Sequence, residues 1–287
     1  MNLCFPRLSC FSIALILVLN ANGEPPGDLR GALTHHVSFD KDLNADFSKG
    51  DKVAYYRKGK EIEPAVLNEE VKIVEGEGRF GGALWFPKKG TSRPQYKNAR
   101  VLNYHEKNWN ASVSVWLRLD PNKDLEPGYC DPVQIVGDDT KKGFIFLEWS
   151  KDHSPRYFRY AIRPLIQIWD PGSVGWEAIP AARRPMVQLE RAPFSREAWT
   201  HVVFTLQNIN DKGGKPLGRL YMNGDLKGAI ENWDLTFAWD PAQVALVLGA
   251  AYVGHMDDLA VFNRALTGVE VKKLYGLKEG VKELHPK

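Results

Sequence analysis

The sequence predicts an all-β fold, an antiparallel sandwich of two sheets with one short C-terminal helix, and three observations carry that prediction. Residues 112–119 alternate with a period of two: Val113, Val115, Leu117 and Leu119 fall on one face, and Ser112, Ser114, Trp116 and Arg118 on the other. This is the signature of a half-buried strand. Further short apolar runs recur at 144–149, 157–162, 165–169, 201–206 and 219–222, the last followed by Asn223-Gly224, a pair that tolerates the positive φ of a tight hairpin turn. Only one segment reads clearly as helix, so frequent strands must supply the core.

Taken in order, residues 1–23 read as a secretory signal. Arg7 lies in the basic region, 11–19 form a short apolar run, and Ala21-Asn22-Gly23 is a small-x-small cleavage site. The run falls short of the ~20 apolar residues that span a bilayer, and no other stretch could span one. A proline-rich tether at 24–32 leads into a first strand at 33–39. Residues 52–74 carry mixed charges with Pro64 and read as a strand pair or an inserted loop. The connection 170–193 is rich in Pro, Gly and Arg and holds Trp176; connections this long are usually functional or disordered, and the charges favour function. At the end, Thr267 and Glu270 form a reciprocal N-terminal capping box, flanked by Leu266 and Val271 as a staple. Gly276 suits a left-handed stop, which leaves 277–287 as a tail and 33–276 as a single domain.

Cys4 and Cys10 depart with the signal, so Cys130 is the one cysteine of the mature chain and an internal disulfide is excluded. An exported chain without disulfides suits a bacterial source, located in the periplasm, outside the cell or on its surface. The net charge of +3 is too small to imply nucleic acid as a partner. Locally the balance differs: residues 156–196 contain seven arginines and no lysine against three carboxylates.

Four segments, in order, resemble the laminin-G-like, concanavalin-A-like jelly rolls. The closing string GHMDDLAVFNRALTGVEVKKLY (254–275) follows that family's G-x-I-D-D/E-V-x-I-Y-N-R-A-L-S-x-x-E-I-x-x-L-Y pattern, with Met256 for Ile and Phe262 for Tyr. HHVSFDKDLNADFSKGD (35–51), GRFGGALWF (78–86), and WTHVVFT with GRLYMNGDLKG (199–205 and 218–228) supply the others. The resemblance implies a jelly-roll sandwich and, in many such domains, one structural calcium. Its carboxylates would be Asp257, Asp258 and Asp40; calcium takes six to eight oxygens, so backbone carbonyls would complete the shell. It also implies packing roles for Trp85, Trp116 and Trp199.

Sugar recognition pairs aromatic planes with polar or charged side chains. Nine tryptophans are present, and Trp149, Trp169 and Trp176 stand beside Glu148, Asp170 and Glu177. Arg159 and Arg163 share a strand face with Tyr157, and guanidinium forks suit carboxylate or sulfate groups. Catalysis has less support. Glycoside hydrolysis needs two carboxyls flanking one bond, and the E-x-D-x-x-E strand pattern of related glucanases is missing, as are the R-x-E-L and Q-x-H motifs of related lyases; Asp152 comes four residues after Glu148, too far along to count as a same-face strand pair. G-x-S-x-G, H-E-x-x-H and C-x-x-C are also missing.

The expectation is thus a non-catalytic, lectin-like domain for a polysaccharide or other glycan, anionic polymers included, with ligand-binding residues Trp149, Tyr157, Arg159, Arg163, Trp169 and Trp176. A module contacting another envelope protein is the second reading, and a polysaccharide-degrading hydrolase or lyase the third.

Overall fold

The computed structural model describes residues 28–59 and 61–286; the signal segment lies outside them. Seventeen strands alternate with short connections: β1 (Leu33–Val37), β2 (Phe47–Ser48), β3 (Tyr55–Lys58), β4 (Glu61–Pro64), β5 (Lys72–Val74), β6 (Ala83–Phe86), β7 (Gln95–Lys97), β8 (Trp109–Arg118), β9 (Cys130–Val136), β10 (Phe144–Trp149), β11 (Phe158–Arg163), β12 (Met186–Leu189), β13 (Thr200–Ile209), β14 (Leu217–Met222), β15 (Asp225–Ile230), β16 (Ala245–Ala250) and β17 (Gly254–Phe262). They form two antiparallel sheets. One has nine strands, ordered β15-β14-β13-β8-β17-β1-β2 with β6 on β17 and β5 on β6; the other has eight, ordered β12-β11-β10-β9-β16-β7-β3-β4.

The two-residue alternation builds the core. Val113, Val115 and Leu117 of β8 meet Ile145, Leu147 and Trp149 of β10 and Phe158, Tyr160 and Ile162 of β11 in one apolar cluster between the sheets. Burying a large apolar side chain contributes about 1.5–3 kcal/mol, and the one cysteine among the described residues, Cys130, is unpaired. A second cluster covers the outer face of the nine-stranded sheet. There Leu266, Val271 and Leu274 of the helix region pack on Val203, Tyr221 and Phe262 together with Leu29, Val281 and Leu284. Residues 28–32, expected as tether, and 277–286, expected as tail, are therefore packed against the sheet. The outer face of the eight-stranded sheet has no such apolar cover and carries the polar groups described below.

Local signals are met in detail. The helix α1 (Gly268–Tyr275) carries the Thr267–Glu270 capping box, and Asn223 (φ 51°) and Gly224 (φ 85°) turn the β14–β15 hairpin. Residues 52–74 contain the β3–β4 hairpin. Two expectations need correction. Gly276 ends the helix at φ −86°, because its amide reaches back to Lys272 and Lys273 carbonyls without a left-handed step. The run 165–169 is a helical turn (Ile166–Trp169). The amides of Leu165 and Ile166 bond to Thr236 and Lys141 in passing loops, and those of Ile168 and Asp170 close on Leu165 and Ile166.

Candidate functional site

Cross-strand register orders the outer face of the eight-stranded sheet into rows. In one, Gln188, Arg159 and Glu148 lie side by side on β12, β11 and β10, and the bulge on β9 brings Asp131 next to them. In the next, Ala161, Phe146, Gln134, Val247, Gln95 and Tyr55 run from β11 to β3. In the third, Arg163, Phe144, Val136, Ala245 and Lys97 run from β11 to β7.

One end of this face is closed. The segment 170–185 crosses it as a strap of two 3-10 turns (Trp176–Ala178 and Ala181–Arg183). Its Glu177 accepts from Arg159 at 2.7 Å, from Tyr129 Oη at 2.9 Å and from Arg184 at 2.8 Å. Burial would push the Glu177 carboxyl up, but these donors outweigh it and hold the group at about 2. Arg159, only 2% exposed, also donates to Glu148 at 3.1 Å and to Gln188 at 2.9 Å. Glu148 and Asp131 are buried, and that burial raises both carboxyls above their ordinary range, Asp131 adding to the rise at Glu148. Gln134 donates to Asp131 Oδ2 at 2.6 Å. Trp176 meets Phe146 and Trp169 edge-on, and the Arg163 guanidinium lies 4.1 Å from the Trp169 ring centre and 5.3 Å from that of Trp176.

The structure thus brings Arg159, Arg163, Trp169 and Trp176 together as expected, but under a cover. Trp169 is 5% exposed, and Arg159 spends its fork on Glu148 and Glu177. Trp149 is a correction: it shares parity with Ile145 and Leu147, points into the core, and packs on Phe158, Phe194 and Tyr252. Tyr157 stacks on His153 at 3.9 Å instead of joining the cluster. Of the three tryptophans expected in packing roles, Trp116 is buried, stacked under Tyr275. Trp85 and Trp199 are half-buried at the surface, where they meet His255 and, for Trp199, Arg118.

The other end is open, and sequence reasoning missed it. A groove of about 920 Å³ runs between the β3–β4 hairpin and Phe144. Gln95, Gln134, Val136, Ala245 and Val247 line it along the sheet. Gln95 is 5% exposed, and its side-chain amide has no hydrogen-bond partner among the described residues. Arg57, Lys58 and Glu63 belong to the hairpin wall, and Asn68 and Arg93 to the loops behind it. These loops are pinned: Glu70 accepts from the amides of Thr91 and Ser92 at 2.9 and 2.8 Å, and Asn68 donates to Ser92 at 3.2 Å. Arg93 precedes Pro94 in a loop and Gln95 opens a three-residue strand with no amphipathic run, so no local pattern marks them.

The carboxylates expected to hold calcium lie elsewhere, Asp257 and Asp258 buried on β17 within the nine-stranded sheet and Asp40 in the loop after β1, and each faces N–H donors. Asp40 accepts from Gly82 at 2.7 Å. Asp257 accepts from Phe80 and Asp258 amides at 2.9 and 2.7 Å. Asp258 accepts from His36 Nε2 at 2.8 Å and from the Val281 amide at 3.1 Å. Among the described residues no three His, Cys, Asp or Glu side chains group as a metal-binding set. A cation at Asp257 and Asp258 would compete with these N–H donors for the same oxygens, an arrangement that speaks against the expected site.

A two-sheet sandwich with a polar groove across one outer face defines the class of protein. A sequence profile described as the concanavalin A-like lectin/glucanases superfamily (Laminin_G_3) matches residues 95–272, more than half of the chain, and the chain belongs to that superfamily. A search of curated protein sequences finds no match. Among solved structures, the receptor binding domain of botulinum neurotoxin C/D mosaic serotype aligns with TM-score 0.55 at 13% identity, over 86% of this chain and 51% of that one. The botulinum neurotoxin serotype D binding domain gives 0.53 at 14%, over 87% and 52%. Domain 4 of AbnA, a GH43 extracellular arabinanase from Geobacillus stearothermophilus, in complex with arabinotriose, gives 0.49 at 20%, over 84% and 97%. The chain spans about half the length of the toxin domains, and at these identities the likeness is one of fold. No described helix is long and apolar enough to cross a membrane.

Proposed function

We propose that the protein is a non-catalytic glycan-binding domain that acts outside the cytoplasm and seats a polysaccharide chain in the groove of the eight-stranded sheet. Export is supported by the basic, apolar and small-residue order of residues 1–23. The observation that carries the binding reading is Gln95. Its side-chain amide, unpartnered among the described residues and open to solvent, lines a groove that also holds Gln134, Gln243 and the Phe144 ring. Sugar hydroxyls would satisfy the amide, and a sugar's C–H face would lie on the ring. A hydrolase is disfavoured because it needs two carboxyls open to one bond. The neighbouring carboxyls of this face, Asp131 and Glu148, are buried, and Glu148 is tied to Arg159.

The test is binding of the mature chain to an array of polysaccharides, repeated with Gln95→Ala. Selective binding that this variant loses, with an unchanged melting temperature, supports the reading. Binding that survives Gln95→Ala and Phe144→Ala would move the site off the groove.

A further inference from the structure

Resting on that glycan reading, we infer that the polymer is a polyanion, bearing carboxylate or sulfate groups, and that Arg57 and Arg93 together read its charge. Tyr55 pairs with Gln95 in the antiparallel register of β3 and β7. Arg57 lies on β3 two residues beyond that pair, Arg93 lies in the loop two residues before Gln95, and both line the groove. Both are exposed; neither forms a close ion pair or hydrogen bond among the described residues, although Arg93 acts on the buried Asp131 carboxyl electrostatically and lowers it.

The acidic groups around it are already engaged. Glu63 pairs with Lys58 at 2.5 Å, Glu70 holds the Thr91 and Ser92 amides, and Asp51 pairs with Lys97 at 2.9 Å. Asp131, opposite Ala250 in the register of β9 and β16, is buried and accepts from Gln134. The lining of the groove therefore carries three cations, Arg57, Lys58 and Arg93, against the single carboxylate of Glu63. Guanidinium groups offer planar forks that match carboxylate and sulfate oxygens. Two forks lining one groove can grip one oxyanion or two successive ones. Gln95, two residues after Arg93 and lining the same groove, would take a hydroxyl of the same sugar. Arg159 and Arg163, the arginines that the sequence singles out for anions, are unavailable, one spent on Glu148 and Glu177 and the other stacked between tryptophans.

The experiment compares chemically matched polymers on the mature chain: polygalacturonate against its methyl ester, which isolates carboxylate, and dextran sulfate against dextran, which isolates sulfate. One charged member should bind roughly tenfold or more tighter than its neutral match, and the difference should shrink as salt rises, because exposed charges are screened. The double variant R57Q/R93Q should lose that preference while keeping its melting temperature; Lys97→Gln, a cation already paired, should keep the preference. Equal affinity for matched polymers, with binding abolished by Gln95→Ala, would overturn the anion assignment and leave the glycan reading standing. A charge preference that survives R57Q/R93Q would also overturn the assignment. Failure of all four polymers to bind would count against both.

Discussion

The two ends of one sheet face treat charge in opposite ways. At the strap end, Arg159 is buried, with a carboxylate on either side and an amide on its Nε. At the groove end, Arg57 and Arg93 are exposed and form no close ion pair among the described residues, the buried Asp131 acting on Arg93 only electrostatically. A buried charge is tolerable only when paired and hydrogen-bonded, so the strap end is a folding device. The groove end leaves donors unspent, which is what a site for an outside ligand requires. Arginine content alone could not separate the two; their partners do.

The largest effect should follow from breaking the covered end. Arg159→Ala leaves the buried Glu148 without its cation, and losing one partner of a buried pair costs about 3–5 kcal/mol. Urea denaturation of this variant beside Arg57→Ala would measure the contrast, with the groove variant within about 0.5 kcal/mol of the parent. Similar costs at both positions would dissolve the distinction between the ends.

A smaller effect is expected from Glu177→Gln, which weakens three charge-assisted contacts at a partly exposed carboxylate. After discounting for solvent screening, about 1–2 kcal/mol is reasonable. Because the strap is held chiefly here and by the bonds of Asp170 to the Val174 and Gly175 amides, limited proteolysis should cut within 171–183 faster in the variant. An unaltered digestion rate would mean that Trp176 packing alone holds the strap.

The covered end should also respond to pH. Burial raises the Asp131 and Glu148 carboxyls in the folded state. A raised acid stabilises the fold most below its unfolded value near ~4, and that contribution is lost as pH climbs through the folded value. The histidines work the other way. Burial lowers His35 and His201 to about 3 and, with Arg118, His255 to about 4. Their contribution is complete above the unfolded value near ~6.5 and is lost as pH falls towards those values. Melting temperature should therefore fall on both sides of a mildly acidic optimum, and Glu148→Gln should flatten the alkaline limb. Parallel limbs in variant and parent would show that Glu148 does not titrate there.

Much of this was legible in the sequence, for a physical reason. Strand periodicity is local, so β8, β10 and the β14–β15 turn could be read directly, as could the capping box of α1. Trp149 was misplaced although its parity was on the page: in FIFLEW, Glu148 is the outward residue, so Trp149 must face inward with Ile145 and Leu147. Arg159 and Arg163 were rightly put on one face. What hid their fate was Glu177, which reaches Arg159 from the strap and which no strand pattern announces. The groove was illegible because it depends on Tyr55 pairing with Gln95, forty residues apart, on strands too short to show a period.

The smallest effect should come from a chelator, at the point where family resemblance and geometry part. Asp40, Asp257 and Asp258 were expected to hold calcium, yet their oxygens accept hydrogen bonds from Gly82, Phe80, Asp258, Val281 and His36. A cation bound only by the native state would raise its stability by mass action; a site whose acceptors are spent on N–H groups gains nothing from one. Melting curves with calcium and with EDTA should therefore superimpose. A drop in EDTA, removed by Asp257→Asn, would mean that calcium displaces the Phe80 and Asp258 amides. Asp257 would be the residue to show it, because burial, with Asp258 beside it, raises its carboxyl to about 8, and a cation there would bring it back down.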